Sequence, residues 1–170
     1  NPFSLYILTQ LYDPASGDLP PNRGRLFAGY AARLLSIMYK LVGKELKTAL
    51  LALGRLGYQM QLQSESTILP AGQLQALLPS TVQLGRHEVT VNPAALFDRA
   101  CRAGLLAPDP SLGAAEAYKF SHQLLQEQFA AQHLLVRWQA GEHTEAAAWE
   151  AMFRHFNQTH GRPDAGEFPA

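Results

Sequence analysis

The feature that most constrains this chain is a change of period, made twice, between residues 92 and 139. Leu96, Phe97, Ala100 and Cys101 recur at three- and four-residue spacing, which marks one face of a helix. Gly104 follows as a helix stop. Leu105-Leu106-Ala107 and Ala117-Tyr118-Lys119-Phe120 then read as two extended pieces, joined by a turn at 108–113 that holds two prolines and a glycine. Two such pieces make a hairpin. The helical period returns with Leu124, Leu125, Phe129, Leu134, Leu135 and Trp138, and Ser121 is the expected cap of that helix. A ribbon this small does not stand alone in water. It must lean on the helices that flank it. The expected fold class is therefore mainly α: a helical bundle, then a winged helix with a small two-stranded β-hairpin, then the start of further helices.

The rest of the chain fits that frame. Asn1 and Pro2 open a helix over residues 2–12, as a cap and a first-turn proline. Phe3, Leu5, Ile7, Leu8 and Leu11 make it apolar on most sides, as expected of a buried helix. Residues 13–21 read as a loop broken by Pro14, Gly17, Pro20 and Pro21. Asn22 opens a second helix expected to reach Val42, with Gly43 as a stop or bend. A third carries Leu46, Ala49, Leu50, Leu53, Leu56 and Met60 on one stripe. Gly54 and Gly57 lower helix propensity there, and their lack of side chains would let another helix come close. Residues 61–67 read as a polar loop, and Pro70 and Ala71 open a short helix that Pro79 ends. Residues 80–91 show no helical stripe and only one short extended piece, 88–91. Asn92-Pro93 repeats the cap-plus-proline start. Gly141 stops the long helix, and Thr144 is expected to cap a last one with Trp149, Met152, Phe153 and Phe156. The expected division is a helical domain at 1–66, a winged-helix domain at 67–140 and the start of a C-terminal helical region at 141–170.

Composition narrows the function classes. Lys+Arg and Asp+Glu number 14 each, so the basic excess of a nucleic-acid binder is missing. Charged residues are 16% of the chain, against about a quarter in ordinary globular proteins. Part of the surface is thus expected to meet another protein segment. The basic residues Arg23, Arg25, Arg33, Lys40, Lys44 and Lys47 read as solvated helix faces. The single cysteine, Cys101, reads as a buried small side chain. It permits no intrachain disulfide, in keeping with a reducing, cytoplasmic compartment. No apolar run approaches the roughly 18 residues of a membrane span, and no signal peptide is visible. His143, His155 and His160 have no metal-site spacing, so no metal ligands are expected. The opening Asn1-Pro2-Phe3, without Met, and the loose 161–166 stretch are the ends expected of a piece of a longer chain.

One stretch carries more. Tyr118-Lys119-Phe120-Ser121-His122-Gln123-Leu124-Leu125-Gln126-Glu127-Gln128-Phe129-Ala130-Ala131 resembles the winged-helix signature of NACHT-type (STAND-class) signalling NTPases. That pattern is an aromatic, one residue, His, three residues, Gln-Glu, then an aromatic and small residues. Gln128, standing between Glu127 and Phe129, departs from it. Asn1-Pro2-Phe3-Ser4-Leu5 resembles the start of the helix after the family's nucleotide-binding sheet. The stretch from Leu19 to Phe27 resembles the loop and helix that follow, and Arg102-Ala103-Gly104-Leu105-Leu106 the run into the first wing strand. The matches keep the family's order over most of the chain.

The resemblance implies a division of labour. The phosphate loop and the magnesium-binding acidic strand of such proteins lie upstream. The chain has no Gly-x-x-x-x-Gly-Lys-Ser/Thr, so it is not expected to be an enzyme by itself, only part of an ATPase. In the family the counterpart of His122 reaches the β-phosphate of bound ADP, and that of Pro2 packs on the adenine ring. An imidazole beside a phosphate favours its charged form, and a charge-assisted N–H to phosphate bond is strong. A helix start, however, favours an anion over a cation. A structural His at a strand–helix junction and a plain first-turn proline are the alternatives for the two residues. The implied cofactor is ADP/ATP with Mg, and the implied partner is the upstream nucleotide-binding domain of the same protein. The implied role is a switch that holds the ADP state closed, releases on ATP exchange, and then oligomerises, in immune or antiphage signalling. Gln126 and Glu127 read as packing rather than chemistry. Two readings compete: a winged-helix DNA-binding module, for which the helix at 92–103 carries Arg99 and Arg102 but also Asp98, and a purely protein-interaction helical domain.

Overall fold

The computed structural model describes residues 2–12, 20, 22–63, 68–110 and 116–142. Six helices and five short strands follow in the order α1 (Pro2–Leu11), α2 (Arg23–Tyr39), α3 (Gly43–Gln63), β1 (Leu69–Pro70), α4 (Ala71–Leu77), β2 (Thr81–Leu84), β3 (His87–Thr90), α5 (Pro93–Arg102), β4 (Leu106–Asp109), β5 (Ala117–Phe120) and α6 (Gln123–Gln139). The fold is mainly α. The expected last helix, with Trp149, Met152, Phe153 and Phe156, lies outside the described residues.

Local chemistry sets the helix ends. Asn22 Oδ1 accepts from the Arg25 N–H at 2.9 Å, and Asn92 Oδ1 from the Ala95 N–H at 3.0 Å. Each satisfies one orphan donor at a helix start. After α5, Gly104 turns left-handed at φ 70°. The Leu105 N–H then reaches the Ala100 carbonyl, and the Gly104 N–H reaches the Cys101 carbonyl, each at 2.9 Å. This double bond pattern is a Schellman stop, and it aims the chain into β4. Helix α2 ends at Tyr39, short of the expected Val42. Lys40 adopts φ 53°, and Ser36 Oγ donates to the Leu41 carbonyl at 2.9 Å. The chain thus turns before the apolar stripe runs out. Helix α3 runs on to Gln63, because nothing in residues 61–63 breaks a helix.

The sheets hold two features absent from the sequence reading. The wing hairpin β4–β5 gains a third strand, giving the order β1-β5-β4, all antiparallel. Leu69 pairs with Tyr118 and Pro70 with Ala117, and the Ala71 N–H donates to the Glu116 carbonyl at 2.9 Å. Both edge strands contain a proline, Pro70 in β1 and Pro108 in β4. Strand β4 extends to Asp109, beyond the expected Ala107, and the Asp109 carboxylate pairs with Lys119 at 2.6 Å. Between α4 and α5 stands a second hairpin, β2–β3, with Val82 opposite Val89. Its two-residue turn has Gly85 at φ 63°, a glycine in the first central position as a type II′ turn requires.

Helix α3 lies along α6, and Gly54 and Gly57 of α3 set the spacing. A Cβ on Gly57 would stand 3.0 Å from the Gln126 carbonyl oxygen, and one on Gly54 3.2 Å from that of Phe129. The expected close approach is there. Leu53, Leu56, Met60 and Leu125 are fully buried around it, each stabilising by about 1.5–3 kcal/mol relative to an exposed position. One cluster of buried side chains joins Ile7 of α1, Leu35 of α2, Leu56 of α3, Leu74 of α4, Leu106 of β4 and Phe129 of α6. No described helix is long and apolar enough to cross a membrane.

Candidate functional site

The junction of β5 and α6 is built from the strand end inward. Phe120 is buried with its ring 5.5 Å from that of Phe129. The Ser121 N–H donates to the Leu105 carbonyl at 3.0 Å, which ties the strand exit to the end of α5. His122 then takes extended backbone angles, φ −147° and ψ 137°, and its side chain caps α6. The Leu124 N–H donates to His122 Nδ1 at 3.1 Å. The cap is therefore His122, not the expected Ser121, which stays exposed. The reason is reach. The imidazole, one residue closer to the helix, meets the orphan N–H first.

This bond fixes a tautomer. A backbone N–H only donates, so Nδ1 must present its lone pair and the ring proton sits on Nε2. Protonating Nδ1 as well would break the cap. The local dipole also disfavours a cation at a helix start. The capped imidazole therefore carries its ring N–H on Nε2, and no described residue accepts from that atom.

Helix α1 brings a second ring to the same place. Phe3 lies face to face with the His122 imidazole, with centroids 4.1 Å apart and planes 3° from parallel. Phe3 is itself backed by α2, stacked 5.9 Å from Phe27 and edge-on to Tyr30 at 6.3 Å. Pro2, at the first position of α1, is exposed beside it, and His122 is half-buried. The two residues singled out from sequence are joined in space through Phe3. The exposed Pro2 ring and an imidazole N–H that no described residue accepts from, beside a helix start, are chemically suited to a planar base and an anionic group.

Other candidates resolve into structure. Gln126 is buried at the crossing with Gly57, and Glu127 accepts from Gln123 Nε2 at 2.9 Å. Gln128, the departure from the family pattern, brings its Oε1 to 3.2 Å from where a Cβ of Gly24 would stand, so it meets the start of α2. Of the two α5 arginines, Arg102 pairs with Asp98 at 3.0 Å and Arg99 stands over the Tyr39 ring at 5.8 Å. Cys101 is half-buried rather than buried. A cleft of about 350 Å³ between α3, β3 and α5, lined in part by Lys44, Thr48 and Arg99, includes neither Pro2 nor His122. Among the described residues, no three His, Cys, Asp or Glu side chains gather where they could hold a metal ion.

Sequence reasoning missed Phe3. Its spacing is that of any apolar helix residue, and nothing in a sequence distinguishes a ring that packs on leucines from one that packs on an imidazole. No family model, no curated protein and no solved structure matches the chain.

Proposed function

We propose that this chain is the regulatory helical and winged-helix part of a cytoplasmic, nucleotide-switched signalling NTPase of the NACHT type. It meets an upstream nucleotide-binding domain of the same protein. His122 donates through Nε2 to a phosphate oxygen of ADP, and Pro2 packs beside the base. These contacts favour the closed state, and exchange for ATP weakens them. A ligand shifts such an equilibrium only by its difference in affinity for the two states. In this reading His122, at the turn from β5 into α6, carries that difference. The open state then oligomerises in immune or antiphage signalling. By itself the chain performs no hydrolysis.

The observation that carries this reading is the stacking of Phe3 on His122, at 4.1 Å. It supports the reading because the resemblance assigns residues 2 and 122 to one nucleotide, and the stack brings the neighbour of Pro2 in the chain against His122. The DNA-binding alternative loses ground in parallel, since both α5 arginines already have partners within the fold.

The test is ADP retention in the protein that carries this chain together with its nucleotide-binding domain. A hydrogen bond to a charged group contributes about 1.5–3 kcal/mol, so His122→Leu should speed release of a fluorescent ADP analogue about 10- to 100-fold. It should also raise basal signalling. His122→Asn keeps a helix cap but not the reach of the ring, and should behave like His122→Leu. If both variants hold ADP as long as the parent, the reading is wrong.

A further inference from the structure

We propose that Phe3 is a positioning residue for His122, and that the two rings act as one unit to present an Nε2–H donor to an anionic ligand group. This rests on the nucleotide reading above and deepens it, by stating which form of the imidazole meets the phosphate and what holds it there.

The argument starts from the degrees of freedom of the ring. An imidazole on an exposed strand–helix junction has two torsions, and the second is broad and roughly two-fold. A flip about it exchanges the two nitrogen edges for carbon edges. The Leu124 N–H donating to Nδ1 at 3.1 Å favours one of the two flips. A single capping bond to a partly exposed group leaves the flipped state populated. The Phe3 ring adds a second restraint of a different kind. At 4.1 Å between centroids and 3° between planes, it fills one whole face of the imidazole and fixes its plane. A half-turn about the second torsion keeps the plane, so the stack does not choose the edge; it holds the plane from which Nδ1 meets the Leu124 N–H, and the cap chooses the edge and the tautomer.

The stack is not a chance contact of a mobile side chain. Phe3 is held from behind by Phe27 and Tyr30 of α2, at 5.9 and 6.3 Å. Tyr30 and Phe27 are buried. The support therefore runs from the core of the molecule through α2 and α1 to His122. The ligand group that meets this N–H is then a hydrogen-bond acceptor. A phosphate oxygen fits this description.

Two measurements separate this inference from the reading it rests on. Long-range 15N–1H correlation of the imidazole nitrogens reads the tautomer of His122 directly in the 170-residue chain. The parent should show the Nε2–H form alone. Phe3→Leu should give a mixture of tautomers, and Phe3→Tyr, which keeps the aromatic face, should restore the single form. Release of the fluorescent ADP analogue is then measured in the protein with its nucleotide-binding domain. Phe3→Leu should speed it about tenfold, within the range of a weakened hydrogen bond to a charged group, and Phe3→Tyr should leave it near the parent rate. If Phe3→Leu leaves both tautomer and release unchanged while His122→Leu speeds release, the positioning role falls and the nucleotide reading stands. If Phe3→Leu mixes the tautomers but neither Phe3→Leu nor His122→Leu alters release, the nucleotide reading falls and this inference goes with it. A tautomer mixture in the parent overturns the positioning role outright.

Discussion

At Cys101 the thiol rests half-buried against the core, one turn of α5 after Asp98, whose carboxylate pairs with Arg102. Burial, with a smaller contribution from the Asp98 carboxylate, pushes its pKa up to about 11. The thiol is therefore protonated at neutral pH and a poor nucleophile. Alkylation by iodoacetamide should be slow at pH 7–8 in the folded chain and accelerate as pH approaches 11, whereas the denatured chain reacts in the ordinary thiol range. The sign for stability follows. Between the ordinary range and about 11 the unfolded chain sheds this proton and the folded chain keeps it. The contribution of Cys101 is thus full below that window and is lost as pH rises through it. Asp98→Asn should lower the thiol pKa and speed alkylation at pH 9, and an unchanged rate would show that the carboxylate has no influence. At this scale the sequence was partly legible. His122 could be singled out by its neighbours in the chain, and both asparagine caps by their position before a helix. The capping role of the His122 ring could not, because histidine is an uncommon cap and Ser121 beside it is a common one.

Among the elements, the α3–α6 crossing is where sequence and packing agree best. Two glycines inside a helix are costly, by about 1 kcal/mol each relative to Ala, so they signal a close neighbour. At Gly57 that neighbour is backbone, 3.0 Å from where a Cβ would stand, and backbone cannot rotate away. Gly57→Ala should gain about 1 kcal/mol of helix propensity and lose about 1–3 kcal/mol to overpacking. The net is destabilisation, read as a lower urea midpoint. Gly54→Ala, at 3.2 Å, should cost less than Gly57→Ala, and the reverse order would mean that the helices adjust around residue 57. The strands were harder to read. Strand β1 is two residues long, one of them proline, and has no pattern of its own; only its pairing with Tyr118 and Ala117 defines it. The β2–β3 hairpin could have been read from Thr81 to Thr90. Val82 and Leu84 alternate with polar residues, and Gly85-Arg86 makes a two-residue turn. The mostly exposed face of β3 hid it, because period alone is faint when one strand buries little.

For the molecule as a whole, the segments at 1–66 and 67–140 share one buried cluster. Leu35 of α2 and Leu106 of β4 are both almost wholly buried in it. A large-to-small change at such sites costs about 2–5 kcal/mol. Leu35→Ala and Leu106→Ala should each lower the midpoint of one common unfolding transition, followed by far-UV circular dichroism. Two separated transitions would show that the segments melt independently. The sequence made the mainly α architecture legible, since the helical stripes are long. It did not reveal that α1 folds back onto the β5–α6 junction, because that contact joins residues far apart in the chain, Phe3 and His122, and no local pattern encodes it.

The two prolines of the wing sheet have a consequence of their own. Pro70 and Pro108 stand in the outer strands, and proline offers no N–H to an incoming ribbon. Each flank of this sheet therefore lacks a rung that a stray strand would need. The sheet is blunted against edge-to-edge growth, and copies of this chain that crowd together gain no continuous ribbon from it.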